Sequence, residues 1–395
     1  MSYKRIYLKP HKEESLKRFH PWIFSGAIQS AENHPEEGEI VEVYNSDNQF
    51  LAVGHCQIGS IAIRVLSFEK EIIDCSFWKK RIEKAHQLRS LLGLNQNPRN
   101  NTYRLIHGEG DLLPGLIVDI YANTAVVQAH SPGMHIARNE IAAALKEVLQ
   151  SEIDNIYYKS EYTLPFKADL DVENEYLLKE NLSRNVAIEN GIQFYIDWEK
   201  GQKTGFFVDQ RDNRSLLKLY SKNKSVLNMF CYTGSFSCYA MQGGAKLVHS
   251  VDSSAQAIHL TDKNIALNFP NDKRHQSFAE DAFKYLEKMG NEYDLIVLDP
   301  PAFAKHRKVS RNALQGYRKL NAIAFKKIKP GGIIFTFSCS QVISKNDFRL
   351  AVFSAAAQSG RSVKIIQQLT QPADHPINIY HPEGEYLKGL ILMVE

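Results

Sequence analysis

The 395-residue sequence lacks the features that would place it in a membrane or outside the cell. No stretch approaches the roughly 20 apolar residues that a helix needs to cross a bilayer. The N-terminal segment MSYKRIYLKPHKEESLKRFH has no apolar core of the kind that a signal peptide carries. The spacing of the cysteines shows no pairs, which argues against both a disulfide framework and a zinc site; they are Cys56, Cys75, Cys231, Cys238 and Cys339. We therefore expect a cytoplasmic protein that binds neither a metal nor a membrane.

Acidic residues are absent from one long segment. Between Pro300 and Asn346 there is no Asp or Glu, although the whole chain has a net charge of only +4. A solvent-exposed helix face usually mixes both signs, so a run of one sign indicates a polyanionic partner. The alternative is a surface that is basic only for solubility. The basic residues of this segment are Lys305, Arg307, Lys308, Arg311, Arg318, Lys319, Lys326, Lys327, Lys329 and Lys345.

The length and composition predict a globular protein of two or three domains. Hydrophobic residues make up 44% of the sequence and charged residues 23%, and a chain this long exceeds one ordinary core. Residues 1–73 consist of short apolar or alternating pieces broken by turn residues, as in GEIVEVYNSDNQFLAVGHC, which predicts a small β-barrel. Residues 74–188 combine amphipathic helices, such as SFWKKRIEKAHQLRSLLGL, with strands, which predicts an α+β domain.

Residues 189–395 alternate between strands and helices. The strands SVLNMF, AKLVHSVD, YDLIVLD and GGIIFTFS are separated by helical segments, which predicts an α/β fold with a doubly wound parallel sheet. Ligands of such sheets bind at the carboxyl ends of the strands. Polar residues at those ends are therefore the candidates for a functional site.

The first of these strands leads into a turn that suggests a cofactor. The segment SVLNMFCYTGSFS has one glycine, Gly234, where a dinucleotide-binding fold carries three to let the backbone approach a pyrophosphate. S-adenosylmethionine is a cofactor without phosphate, so it does not need the other two. The second strand ends in Asp252, at the position where a carboxylate accepts hydrogen bonds from ribose hydroxyls, and Asp281 stands where a carboxylate could bind an adenine amine. The alternative is an α/β domain with ordinary polar strand ends.

The strands YDLIVLD and GGIIFTFS end in residues that can carry chemistry. In nucleobase methyltransferases, an Asp or Asn before two prolines at this strand end contacts the target base; here Asp299 precedes Pro300 and Pro301. The prolines hold the backbone extended, and the following Phe303 can stack on a base. The second strand leads into Cys339 between two serines. A lone cysteine is most often structural, but these strands are neighbours in a methyltransferase sheet, which would bring the thiol and the carboxylate to one crevice.

Several segments together resemble a known family. HPWIFSGAI resembles the RNA-binding PUA domain, and KTGFFVDQRDNR resembles the start of a methyltransferase domain. With LDPPAF, TFSCS and the tail ADHPINIYHPEGEYLKG, nearly the whole chain is similar to the bacterial large-subunit (23S) ribosomal RNA cytosine-5 methyltransferases. The resemblance implies a PUA-like domain at 1–73, a central domain at 74–188 and an S-adenosylmethionine-dependent methyltransferase domain at 189–395. Large-subunit ribosomal RNA is the implied partner, and a homodimer is one expectation for the assembly.

The resemblance also implies roles for individual residues. Cys339 is implied as the nucleophile and Asp299 as the residue that binds the cytosine edge. The segment KTGFFVDQRDNR would cover the methionine end of the cofactor with Phe206 or Phe207 and with Asp209, Gln210 and Arg211. The residues implied in cofactor binding are Gln210, Phe230, Tyr232, Gly234, Ser235, Asp252, Asp281, Ala282 and Asp299. Those implied in substrate binding are Pro300, Pro301, Phe303, Lys305 and Arg307.

The chemistry of cytosine explains why a cysteine is needed. Cytosine C5 has no usable lone pair and becomes nucleophilic when a thiolate adds to C6, whereas a ring nitrogen or an amine needs no covalent catalysis. Many RNA cytosine-5 enzymes carry a second cysteine next to the Asp-Pro motif to release the product. In this chain that position is Pro300, so release would need another base. Three alternatives stay open: methylation of a guanine ring nitrogen or exocyclic amine, a non-catalytic RNA-binding assembly factor, and a small-molecule methyltransferase. The last would leave the PUA-like domain and the basic segment without a role.

Overall fold

The computed structural model describes residues 3–165, 170, 172–181, 185–304 and 306–395, which form two compact units. The first unit comprises residues 1–190, 196–208 and 373–384. The second comprises residues 191–195, 209–372 and 385–395. Each unit is therefore built from segments that are distant in the sequence.

The first unit begins with a six-stranded sheet, counted over the described residues, in the order β2-β6-β5-β4-β1-β3. Its strands are β1 (Lys4–Leu8), β2 (Trp22–Phe24), β3 (Ile28–Ala31), β4 (Ile40–Tyr44), β5 (Phe50–Cys56) and β6 (Ile61–Ser67), and the short helix α1 (Glu14–Lys17) follows β1. In β1 the alternate residues Ile6 and Leu8 are buried, as the period of a strand requires, whereas β4 is buried throughout from Val41 to Tyr44. The predicted β-rich N-terminal segment is confirmed.

The remainder of the first unit is an α+β arrangement. Its described strands form a sheet in the order β11-β10-β9-β8-β7. They are β7 (Thr102–His107), β8 (Leu116–Tyr121), β9 (Thr124–Ala129), β10 (Asn155–Tyr158) and β11 (Glu175–Lys179), and a further strand is β12 (Val186–Glu189). The helices are α2 (Cys75–Leu91), α3 (Pro132–Ile136) and α4 (Arg138–Leu149). The Asp74 side chain accepts a hydrogen bond from the Phe77 backbone N–H (3.0 Å), which fixes where α2 begins.

The second unit contains the doubly wound sheet, in the order β16-β15-β14-β17-β18-β20-β19. The strands of this unit are β13 (Ile192–Tyr195), β14 (Ser225–Met229), β15 (Leu247–Asp252), β16 (His275–Ala279), β17 (Leu295–Leu298), β18 (Gly332–Ser338), β19 (Val363–Leu369) and β20 (Lys388–Val394). The helices are α5 (Arg211–Tyr220), α6 (Ser235–Gln242), α7 (Ala255–Asn268), α8 (Ala282–Lys288), α9 (Ser310–Lys327) and α10 (Lys345–Ser359). The strands from β16 to β18 are parallel, and β20 is antiparallel to both β18 and β19.

Burial in the sheet explains the apolar runs in the sequence. Every residue of β14 and β17 is buried, because helices cover both faces of a doubly wound sheet. The strand order reverses between β14 and β17, and the carboxyl ends of the strands on either side of such a reversal form the ligand crevice of this fold. The fold thus directs attention to the loops after β14, β15, β17 and β18.

None of the helices in the described ranges is long and apolar enough to cross a membrane.

Candidate active site

The loop after β14 has an unusual backbone. Phe230, Tyr232 and Gly234 all have positive φ values, of 57°, 47° and 74°. A Cβ atom on Gly234 would lie 2.5 Å from Cγ2 of Thr261, so glycine is required by both conformation and space. The loop therefore presents backbone groups at the start of α6, where Ser235 is buried.

Helix α7 and the end of β15 hold this loop in place. The Asp252 carboxylate accepts a hydrogen bond from the Tyr232 backbone N–H (3.0 Å). Thr261 Oγ1 donates to the Tyr232 carbonyl (2.9 Å), and Asn264 Nδ2 donates to the Thr233 carbonyl (2.9 Å). Asp252 is half-buried, and a carboxylate accepts several hydrogen bonds. Its oxygens can therefore support the loop and receive ligand hydroxyls.

Asp281 and Ala282 lie at the beginning of α8. Asp281 is the N-cap residue, and its Oδ1 accepts a hydrogen bond from the Lys284 backbone N–H (3.0 Å). Asp281 is exposed and Ala282 is buried. One carboxylate oxygen of Asp281 caps the helix. The other oxygen is the one that we predict to accept a hydrogen bond from an adenine amine.

The carboxylate of Asp299 is oriented by two amides. Gln210 Nε2 donates to Asp299 Oδ2 (3.0 Å), and Asn213 Nδ2 donates to Gln210 Oε1 (2.6 Å). Gln210 and Asn213 are buried, and Asp299 is half-buried at the end of β17. Because the Gln210 carbonyl is held by Asn213, its amide N–H groups face the carboxylate.

The remainder of the KTGFFVDQRDNR segment is divided between the units. Phe206 and Phe207 belong to the first unit, whereas Asp209 and Arg211 belong to the second. Asp209 is buried and its Oδ2 accepts a hydrogen bond from the Tyr386 hydroxyl (2.7 Å). Whether these residues contact a cofactor stays a prediction.

The segment after Asp299 passes along α9. Pro300 is buried, Pro301 is exposed, and Phe303 is half-buried with its ring centroid 4.7 Å from that of Tyr317. Part of the Phe303 surface is thus used for packing. The predicted substrate contacts of Lys305 and of the Arg307 side chain lie outside the described residues.

Cys339 follows β18, and the two serines beside it fix its loop. Ser338 Oγ donates to the Tyr317 hydroxyl (2.9 Å), and Ser340 Oγ donates to the Ala304 carbonyl (2.5 Å). Both serines are buried, whereas Cys339 is half-buried. β17 and β18 are neighbouring parallel strands, as predicted, and the Ser340 hydrogen bond joins the loop of Cys339 to the segment that follows Asp299.

The electrostatics of Tyr317 also connect these residues. Burial raises the pKa of Tyr317 to about 12, and negative charge on Cys339 and Asp299 contributes to the shift. One buried phenol is therefore close enough to sense both the thiol and the carboxylate.

The other cysteines have different surroundings. Cys75 is exposed. Burial raises the pKa of Cys56 to about 11 and raises the pKa values of Cys231 and Cys238 further. A buried thiol with a raised pKa is a poor nucleophile.

Lys388 is a residue of this site that the sequence analysis did not assign. It begins β20, is 5% exposed, and lies directly opposite Ser338 in the antiparallel ladder. Its sequence signal was only its place in the tail motif EGEYLKG, because a single lysine gives no indication that it is buried.

Comparisons with known proteins agree with this geometry. The family of S-adenosylmethionine-dependent methyltransferases matches residues 151–390, and a PUA-like domain family matches residues 6–68. The chain is 40% identical to the ribosomal RNA large subunit methyltransferase I of Tolumonas auensis, over 98% of both chains. It belongs to the ribosomal RNA large subunit methyltransferase I family. It is thus an S-adenosylmethionine-dependent methyltransferase of large-subunit ribosomal RNA with a PUA-like domain.

Solved structures show how widely this fold is used. A candidate methyltransferase complexed with SAH has a TM-score of 0.85 to the chain at 23% identity, with both chains covered completely. A tRNA m1G methyltransferase from M. jannaschii has a TM-score of 0.51 at 18% identity, over 86% of this chain and 84% of that one. The fold alone therefore does not identify the atom that the methyltransferase modifies.

The residues of the second unit fit S-adenosylmethionine. The loop at Gly234 packs so closely on Thr261 that only glycine fits there, and the Asp252 carboxylate stands at the adjoining strand end. A cofactor without a pyrophosphate matches a turn with this single glycine. When bound, S-adenosylmethionine supplies an electrophilic methyl group. We expect Asp252 to bind its ribose and the loop from Phe230 to Ser235 to hold its methionine end.

Proposed function

We propose that the methyltransferase transfers the methyl group to C5 of a cytosine in 23S ribosomal RNA, with Cys339 as the covalent nucleophile. The observation that carries the proposal is the pair of serine hydrogen bonds that fix the Cys339 loop beside the segment following Asp299. A structural cysteine needs no such support, whereas a nucleophile must be held at a fixed position relative to the base.

The proposed reaction has three steps. The Cys339 thiolate donates an electron pair to cytosine C6, and the C5–C6 π electrons move to C5. C5 then bonds to the methyl carbon. The bond between that carbon and the sulfonium sulfur of S-adenosylmethionine breaks, and its electron pair stays on the sulfonium sulfur. A base removes the C5 proton, the C5–C6 double bond forms again, and the thiolate leaves.

The role of Asp299 follows from its orientation. A carboxylate accepts hydrogen bonds, and the cytosine N4 amine is a donor. Gln210 fixes one carboxylate oxygen at 3.0 Å, which limits how the carboxylate can rotate. We expect Asp299 to hold the cytosine edge so that C6 faces the thiol. A cytosine in a helical stack would have to leave it to reach this position.

Methylation of a guanine nitrogen is the competing function. It is favoured only by the fold, which the tRNA m1G methyltransferase of M. jannaschii shares. A nitrogen nucleophile would not use Cys339, so the two functions differ in their dependence on this thiol.

A trapping experiment tests the proposal. Ribosomal RNA containing 5-fluorocytidine should form a protein–RNA adduct that survives denaturation in the presence of S-adenosylmethionine, because fluorine at C5 cannot leave as a proton. Cys339→Ala should abolish the adduct. Cys75→Ala, which removes an exposed thiol, is the matched control and should retain it.

Two outcomes would contradict the proposal. The first is full methyl transfer by Cys339→Ser, and the second is a methylated guanine in nucleoside mass spectrometry of the product. Either would indicate transfer to nitrogen.

A further inference from the structure

Lys388 is a buried lysine, which is rare in proteins, and it binds the turn that carries Cys339. Its Nζ donates hydrogen bonds to the carbonyl of Ser340 (2.6 Å) and to the carbonyl of Ile343 (2.8 Å). Ser340 is the residue immediately after Cys339, so the ammonium group is bound to the turn that carries the thiol. With 5% of its surface exposed, the side chain has given up almost all of its hydration.

Two carbonyls do not balance the charge of this ammonium group. It has three N–H donors, and a buried cation needs an anion nearby. In the described part of the chain, no Asp or Glu oxygen lies within ion-pair distance of Lys388 Nζ. The nearby carboxylate of Glu385 forms an ion pair with Lys345. A thiolate at Cys339 is the larger of the two negative charges that favour the ammonium form of Lys388, and Glu385 is the smaller.

We infer that Lys388 is a positioning residue for Cys339. Lys388 fixes the turn after β18 through two carbonyls, and its ammonium charge stabilises the Cys339 thiolate. This inference rests on the proposed role of Cys339 as the nucleophile. Lys388 need not contact the cytosine; it acts through the thiol.

The pH dependence of this pair has a definite sign. Burial lowers the pKa of Lys388 to about 8, and a negative charge on Cys339 opposes that shift. The ammonium group therefore supports the thiolate below about pH 8 and loses its charge above that pH. By reciprocity, it lowers the pKa of the thiol. The charged and titratable groups around the pair are Glu385, Lys345, Tyr317 and Asp299.

The first test measures the thiol directly. The rate of Cys339 alkylation by iodoacetamide is followed against pH by peptide mass spectrometry in the wild type, Lys388→Met and Lys388→Arg. We expect the midpoint to rise by about one pH unit in Lys388→Met, which leaves about tenfold less thiolate at neutral pH, and by less in Lys388→Arg. Lys364→Met, which removes an exposed lysine paired with Glu395, should leave it unchanged. An unchanged midpoint in folded Lys388→Met would overturn the inference.

The second test measures the titration of Lys388 itself and uses Lys388→Arg only to assign its signal. In protein labelled with ¹³C-lysine, one Cε signal should titrate far below the others, and assignment by Lys388→Arg identifies it. Removing the thiolate in Cys339→Ala should lower the midpoint of that signal. A midpoint that stays the same shows that the two groups do not interact.

The 5-fluorocytidine experiment separates this inference from the proposed function. In one outcome the adduct forms, while the Cys339 titration does not respond to Lys388→Met and the Lys388 titration does not respond to Cys339→Ala. In that case only the role of Lys388 fails. If the titrations shift but no adduct forms, Lys388 does stabilise the thiolate and Cys339 is not the nucleophile.

Discussion

At the level of single residues, the proposed site combines Asp299 and Cys339, which follow neighbouring parallel strands, with Lys388 on the antiparallel strand beside them. Asp299 and Cys339 stand next to recognisable motifs, and the adjacency of their strands follows from the order of a doubly wound sheet. Lys388 was not recognisable. Its burial depends on β20 pairing with β18, and a lone lysine in a sequence normally indicates an exposed side chain.

The orientation of Asp299 leads to a prediction about its charge. Asp299→Asn keeps the shape of the side chain but removes the negative charge and one acceptor. If Asp299 binds the cytosine amine, loss of a charge-assisted hydrogen bond worth roughly 1.5–3 kcal/mol should lower kcat for methyl transfer about 10- to 150-fold. Single-turnover transfer to ribosomal RNA measures this step.

The control for this variant is Asp272→Asn, a carboxylate paired with Arg274 on the loop before β16. It should change kcat by less than a factor of about two, since surface ion pairs contribute little. A rate for Asp299→Asn equal to that of the control would remove Asp299 from the proposed reaction.

At the level of elements, the local sequence pattern predicted the parallel strands β14, β15, β17 and β18, but it did not predict β16 or the last two strands. β17 is a continuous apolar run, and β14 and β18 are mainly apolar, as buried parallel strands usually are. β19 is mostly exposed, and its sequence VKIIQQL does not indicate its partner. The antiparallel pairing of β20 with β18 joins residues about fifty positions apart, which sequence periodicity cannot report.

The loop after β14 provides a prediction about cofactor binding. Gly234→Ala would place a Cβ 2.5 Å from Thr261, whose hydroxyl is bonded to the Tyr232 carbonyl and cannot rotate away without losing that bond. The left-handed conformation adds about 1–2 kcal/mol. We expect the affinity for SAH, measured by titration calorimetry, to fall at least about tenfold, the equivalent of roughly 1.4 kcal/mol.

Gly331→Ala is the matched control. Gly331 has a φ of 75°, like the 74° of Gly234, but a Cβ atom there meets nothing within 4 Å. It should carry the cost of the left-handed conformation alone and leave the affinity for SAH unchanged. Equal SAH affinities in the two variants would show that the loop does not hold the cofactor.

At the level of the whole molecule, the sequence could not show how the chain is divided. The tail residue Asp374 joins the first unit, where its carboxylate accepts a hydrogen bond from the Arg104 backbone N–H (2.9 Å) and its carbonyl accepts one from Arg89 (2.7 Å). Such contacts join segments about 270 residues apart. The boundaries at residues 73 and 188 therefore stay predictions, although the β, α+β and α/β parts they separate are confirmed.

The basic segment after Asp299 can now be divided by its contacts. Lys319 and Lys329 form ion pairs with Glu287 (3.3 Å) and Asp294 (3.1 Å). Arg311 and Arg318, in contrast, are exposed on α9 and stand seven residues apart, so they lie on one face of the helix. Only part of the one-signed run is thus available for a polyanion.

This division predicts the salt dependence of binding to ribosomal RNA. Each lost phosphate contact lowers the slope of log K against log salt concentration by about 0.7–0.9. Arg311→Gln with Arg318→Gln should therefore reduce the slope by about 1.4–1.8 in filter binding. The double variant Lys319→Gln with Lys329→Gln lowers the net charge by the same two units. Because both of these lysines are already paired with carboxylates, the slope of this variant should change far less. Because both variants lose two positive charges, equal slopes would mean that RNA senses only the overall charge and does not contact this face of α9.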